Sequence, residues 1–265
     1  MKSFEHKKSL GQHFLNSDYV PKKMCDAVDL AAGEIVFEIG PGTGALTREI
    51  LTRGGKVVAI EADLRAIASL QESFPGELAD GTLTVHHMDA RMIDFAALGL
   101  QNQQFKVIAN IPYYISGLLF RQCLESDIQP TDLVFLVQKE VAERIARDKK
   151  ESILSLSVKA FGEPSYICTV KRSHFTPPPA VDSAVIAVRN INQANFTNIS
   201  TQQFFDVLHL GFGQKRKQLA GNLRRAFPQL DILRILSAQQ LRPDVRAEDL
   251  TIADFLQLTA ALYQS

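Results

Sequence analysis

The sequence predicts an α/β fold, a doubly wound and mostly parallel sheet of seven strands flanked by helices, followed by a small all-helical C-terminal domain. Three observations predict it. The apolar run Val36-Phe37-Glu38-Ile39 ends in Gly40-Pro41-Gly42-Thr43-Gly44 and continues as the amphipathic Ala45-Leu46-Thr47, which reads as strand, tight turn and helix. Further short apolar runs alternate with helical patterns up to residue 189. After that the remaining chain reads as helix throughout.

A chain of 265 residues, 46% hydrophobic and 22% charged, has length for a large and a small domain and the composition of a globular protein. No apolar run reaches the roughly 18 residues of a membrane span, and the start lacks a signal peptide's hydrophobic segment, so a cytoplasmic protein with no membrane partner is expected. Cys25, Cys123 and Cys168 are too widely spaced for a zinc site and read as packing residues. Net charge is zero, so nucleic-acid binding has to rest on a local patch. Nothing demands an oligomer, and a monomer is expected.

The glycine loop alone also suits NAD, FAD or a plain turn. Each of Gly40, Gly42 and Gly44 lets the backbone turn sharply or approach a ligand closely. Glu38 sharpens the reading. A carboxylate two residues before the first glycine sits badly beside a pyrophosphate but suits a cationic sulfonium and ammonium, which favours S-adenosylmethionine. The expected architecture is therefore that of a Rossmann-like class I S-adenosylmethionine-dependent methyltransferase.

In chain order, residues 1 to 24 begin as a polar and basic arm in which Phe14 and Leu15 call for burial, so the arm is expected to fold back onto the domain. Pro21 fits the first turn of a helix reaching about Leu30. The second strand, Lys56 to Ile60, ends in Glu61, placed to accept both hydroxyls of an adenosine ribose; Asp63 better suits a helix N-terminus. The third strand, Leu83 to Met88, leads to Asp89, placed to meet an adenine edge. His86, His87 and Asp89 are not read as a metal site, because neighbouring strand residues point to opposite faces. The fourth strand, Phe105 to Ala109, runs into Asn110-Ile111-Pro112-Tyr113-Tyr114. In a doubly wound sheet this tip shares the crevice of the glycine loop.

A fifth strand, Leu133 to Val137, precedes a charged helix carrying Lys139, Arg144, Arg147, Lys149 and Lys150. Two further strands, Tyr166 to Val170 and Ala184 to Val188, bracket Phe175-Thr176-Pro177-Pro178-Pro179, held extended by its prolines. The polar stretch from Asn190 to Asn198 marks a boundary between a catalytic domain of residues 1–189 and a helical domain of residues 190–265. Within residues 207–230 stand Lys215, Arg216, Lys217, Arg224 and Arg225 and no acid, a patch suited to the phosphates of RNA.

An Asn-x-Pro-aromatic tip beside a methyl donor suits methylation of a planar amine. The exocyclic nitrogen of adenine is a poor nucleophile because its lone pair is delocalised. Acceptance of its hydrogens by the Asn110 side-chain oxygen and the Ile111 carbonyl localises that pair, so positioning supplies most of the catalysis. Pro112 stiffens the tip, Tyr113 stacks on one face of a base drawn out of its helix, and Phe175 covers the other. Core packing is the plainer reading of either aromatic alone.

These residues resemble the ribosomal RNA adenine dimethyltransferases of the KsgA type. The resemblance spans nearly the whole chain, through Ser9 to Leu15, Glu38 to Gly44, Ile60 to Asp63, Asp89-Ala90, Asn110 to Tyr113, Phe175 to Ser183, Phe212 with Lys215-Arg216-Lys217, Asn222-Leu223 and Arg246-Ala247-Glu248. It implies dimethylation of two adjacent adenosines near the end of small-subunit (16S) RNA during assembly of an immature subunit, with S-adenosylmethionine as cofactor. It also implies His13, Leu15, Gly40, Glu61, Asp89 and Asn110 as cofactor contacts. Tyr114 stands where many relatives have Asn. The catalytic core is also similar to that of large-subunit resistance methyltransferases and of mitochondrial transcription factors, but the tail matches the small-subunit enzymes better. A small-molecule methyltransferase would leave the basic patch without a role.

Overall fold

The computed structural model describes residues 13–214 and 217–264. By internal packing the chain divides into two compact units, one of residues up to Glu143 with Glu163–Ile191, the other of Arg144–Gly162 with the chain from Asn192 onward.

The first unit holds β1 (Phe14–Leu15), α1 (Tyr19–Asp26), β2 (Ile35–Ile39), α2 (Ala45–Thr52), β3 (Lys56–Glu61), α3 (Leu64–Ser73), α4 (Pro75–Asp80), β4 (Leu83–His87), β5 (Phe105–Asn110), α5 (Ser116–Leu124) and β6 (Leu133–Gln138). The division falls within α6 (Lys139–Ala146), and α7 (Ile153–Lys159) lies in the second unit. The first unit resumes with β7 (Glu163–Val170), β8 (Phe175–Thr176) and β9 (Ser183–Arg189).

Seven strands form one sheet in the order β4-β3-β2-β5-β6-β9-β7. The pairs from β4 to β6 are parallel, and β9 runs antiparallel to both its neighbours. β2 and β5 lie side by side, Val36 against Lys106 and Phe37 against Val107. The winding reverses between them, so the loops at their carboxyl ends part and leave a crevice. Burial on both faces explains the unbroken apolar character of the central strands, with Val107, Ile108, Val134 and Phe135 fully buried.

Most local readings hold. Asp63 caps α3, accepting a hydrogen bond from Arg65 N at 3.1 Å. Cys25 and Cys123 are buried. α1 ends at Asp26 rather than near Leu30, and Asp29 adopts the left-handed conformation at φ 48. α6 stops at Ala146, so Arg147, Lys149 and Lys150 lie beyond it; Lys150 pairs with Glu248 and Asp249. The arm does fold back: β1 pairs antiparallel with β8, Phe14 opposite Thr176 and Leu15 opposite Phe175.

The second unit is helical, with α8 (Thr201–Phe212), α9 (Leu219–Ala226), α10 (Ile232–Ala238) and α11 (Ile252–Tyr263). Ser200 with Gln203 and Thr251 with Asp254 form reciprocal caps that start α8 and α11. Phe204, Leu208, Leu223, Leu236, Phe255 and Leu258 form its buried interior. Asn222 Nδ2 donates to the Gly211 carbonyl at 2.7 Å, tying α9 to α8.

Candidate active site

A cavity of about 360 Å³ opens at the carboxyl ends of β2, β3 and β5, of a size suited to a small-molecule ligand. Gly40, with φ at 68, has nothing within 4 Å of where a Cβ would stand, so the backbone itself forms the wall there. At Gly42 a Cβ would lie 2.8 Å from the Phe14 ring, so the loop and the arm fit only because that side chain is missing. Gly44 does not face the cavity. It starts α2 with φ at 81, against the Phe74 ring.

Two acids are buried against this cavity. Glu38 is 1% exposed and accepts a hydrogen bond from Thr47 Oγ1 at 2.7 Å. Burial pushes its carboxyl up to about 8; the Thr47 hydroxyl opposes the rise and the charge of Glu61 adds to it. Glu61, at the end of β3, accepts from Asp63 N at 2.9 Å and Gly42 N at 3.1 Å. Its carboxyl is also raised by burial, against the pull of those two amides. Each oxygen keeps a lone pair for a further donor. Asp89 lines the cavity too, but it is engaged by Arg91, which donates from Nε at 3.0 Å and from Nη2 at 2.5 Å. That pairing holds Asp89 down to about 2. The Asp89 carboxylate on the cavity wall is therefore already shared with a guanidinium.

The Asn110 tip is positioned by the arm. Asn110 Nδ2 donates to the His13 carbonyl at 3.0 Å, and His13 Nδ1 donates to the Pro177 carbonyl at 2.8 Å. Leu15, Ile111, Pro112 and Tyr113 also line the cavity. The Tyr113 hydroxyl bonds to Ser183 Oγ at 2.5 Å, which fixes the ring from β9. The expected placement of Phe175 is corrected. Phe175 is 2% exposed in the core and does not line the cavity. The ring facing Tyr113 is His13, stacked at 6.0 Å with a 21° interplanar angle, and Phe175 meets His13 edge-on. A phenyl group on β8 is drawn inward because burial stabilises it by about 2 kcal/mol or more, whereas an imidazole keeps its polar edge outward.

The contacts of Thr47 with Glu38, Pro177 with His13 and Ser183 with Tyr113 escaped the sequence reading because each joins different elements of the chain, and the local pairing of Arg91 with Asp89 escaped it as well. In the second unit Lys217, Arg224 and Arg225 are exposed, the two arginines in the last turn of α9. Lys215 and Arg216 lie outside the described residues, as do Ser9 to Gln12 of the arm.

The model of the ribosomal RNA adenine dimethylase family matches residues 3–264. The chain belongs to that family. It is 36% identical to ribosomal RNA small subunit methyltransferase A of Dehalococcoides mccartyi, over 95% of this chain and 87% of that protein. It is 37% identical to the protein of the same description from Xanthomonas euvesicatoria, over 95% and 94%. A dimethyladenosine transferase from Plasmodium falciparum superposes with a TM-score of 0.81 at 27% identity, over 95% of this chain and 98% of that one. The 23S rRNA methyltransferase ErmE shares the fold, with a TM-score of 0.74 at 23% identity over 95% and 100%.

As a member of the adenine dimethylase family, the chain is an S-adenosylmethionine-dependent methyltransferase. The residues present fit that cofactor. Two buried carboxylates, both raised by burial, are relieved by a cationic ligand, and the bare backbone at Gly40 leaves room for close approach.

Proposed function

We propose that the chain dimethylates the N6 amines of adenosines in small-subunit ribosomal RNA, two adjacent ones near the 3′ end, acting in the cytoplasm as a monomer on an incompletely assembled subunit. One observation carries the reading at the level of chemistry. Asn110 is tethered through its nitrogen, so its oxygen is the atom left to accept an amine proton. The relatives described as small-subunit methyltransferases support the choice of acceptor.

When bound, S-adenosylmethionine supplies an electrophilic methyl group on a sulfonium. Glu38 and Glu61 hold its cationic and hydroxyl groups, the Gly40–Gly42 backbone and Leu15 shape its cradle, and Asp89 meets its adenine edge. Asn110 Oδ1 and the Ile111 carbonyl accept the two hydrogens of the target amine, which localises the nitrogen lone pair and orients it. Tyr113, fixed by Ser183, presents a rigid face to the base. No general base is required to generate the nucleophile, since alignment and hydrogen bonding act before any proton leaves. Lys215, Arg216, Lys217, Arg224 and Arg225 contact the RNA backbone.

The test is transfer of labelled methyl groups to undermodified small subunits, with large subunits, free small-subunit RNA and transfer RNA in parallel. Nucleoside mass spectrometry then identifies the product. Dimethyladenosine on the small subunit or its RNA alone is expected. Label on large subunits, or none on any RNA, overturns the assignment.

A further inference from the structure

We infer that Tyr114 is a stacking platform for a second nucleobase of the acceptor RNA, the one flanking the adenosine that enters the cavity; this rests on the function proposed above. The two neighbouring tyrosines of the Tyr113–Ile115 turn have opposite environments. Tyr113 is half-buried and tied to Ser183. Tyr114 is 66% exposed and still lines the same cavity, so it stands at the mouth. Among the described residues no hydrogen bond or ring contact holds its side chain. Nothing in the fold requires an aromatic ring there.

Its surroundings fit a base. Arg91 lines the same cavity. Met92, next to Arg91, is 73% exposed, and Leu118, in the first turn of α5, is 39% exposed. Gln122 Nε2 donates to the Arg91 carbonyl at 3.0 Å, holding α5 against that turn. The cavity mouth thus offers an exposed aromatic ring on a wall that also carries the Arg91 guanidinium. Asp89 already neutralises that guanidinium, so the surface suits an uncharged, planar base rather than a phosphate.

The chemistry supplies the reason for such a platform. Drawing one adenosine out of its stack leaves its neighbour with an exposed face, and restacking that face on Tyr114 offsets part of the cost.

The experiment uses the full chain and a small-subunit RNA fragment with 2-aminopurine at each nucleotide flanking the adenosine that the wild-type protein methylates. Stacking quenches its fluorescence. Wild type and Tyr114→Phe are expected to quench one flanking position, and Tyr114→Ala and the apolar but non-planar Tyr114→Leu are not. The KM for RNA should rise about tenfold in Tyr114→Ala while the KM for the cofactor holds. Because the position is exposed, all variants are expected to fold, and their thermal midpoints check it. Equal quenching by wild type and Tyr114→Ala, or an unchanged KM for RNA in an active Tyr114→Ala protein, overturns the platform alone. A wild-type protein that methylates no RNA overturns the functional reading and the platform with it.

Discussion

The Asn110 side-chain amide donates to the His13 backbone carbonyl at 3.0 Å, joining the tip of β5 to the arm. A carbonyl can only accept, so this bond decides which end of the amide faces the cavity. Asn110→Ala is expected to lower single-turnover methyl transfer on the order of 10²- to 10³-fold, the usual effect of removing one preorganised polar group, with cofactor affinity changed far less. Asn110→Asp places a carboxylate against the His13 carbonyl and should be nearly as slow. A near-normal rate for Asn110→Ala would sink the assigned role.

Glu38 makes the ligand-free protein sensitive to pH. Its folded-state carboxyl, raised to about 8 from 4.5, holds its proton more tightly than in the unfolded chain. Its contribution to stability is therefore complete at low pH and is lost as pH rises across that window. Glu61, raised in the same direction, adds a slope of the same sign. Glu38→Gln keeps an acceptor for Thr47 and cannot ionise, so near pH 8 it should exceed the wild type on the order of a few kcal/mol. Urea denaturation across the range checks this, and identical slopes in the two proteins would assign the pH effect elsewhere.

Gly40 and Gly42 should respond differently to alanine. Both have left-handed φ, which costs about 1 kcal/mol with a Cβ. At Gly40 the methyl enters open cavity, so cofactor affinity should fall by more than stability does. At Gly42 it collides with Phe14, so stability should fall further and the arm should become more accessible to protease. Calorimetric titration with cofactor and thermal unfolding separate the two effects.

The Tyr113–Ser183 bond predicts a non-additive pair. Tyr113→Phe and Ser183→Ala each remove it and should each cost about 1 kcal/mol and a similar loss of turnover. The double variant should cost little more than either single one. Full additivity would mean that the two side chains act independently.

Neutralising Lys217, Arg224 and Arg225, together with Lys215 and Arg216, should weaken RNA binding and flatten its salt dependence. The slope of log K against log salt should drop by about 0.7 to 0.9 for each RNA phosphate that is no longer neutralised. If neither affinity nor slope moves, the two α9 arginines serve only the carboxyl end of their helix.

The sequence by itself determined the seven sheet strands, the helical tail, the glycine loop, and the presence of Glu61 and Asn110 at strand ends. These features are local: apolar runs, glycines and strand tips are written within a few consecutive residues, and a parallel sheet places its tips along one edge. Tertiary structure alone decided how the segments meet. β1 and β8 are two residues each, too short for any period, and exist only because the arm and the proline loop supply each other's hydrogen bonds. That pairing buries Phe175, turns His13 toward Tyr113 and ties Asn110 to the arm. Such choices depend on competition among side chains distant in sequence for one core and one set of donors, which no local pattern records.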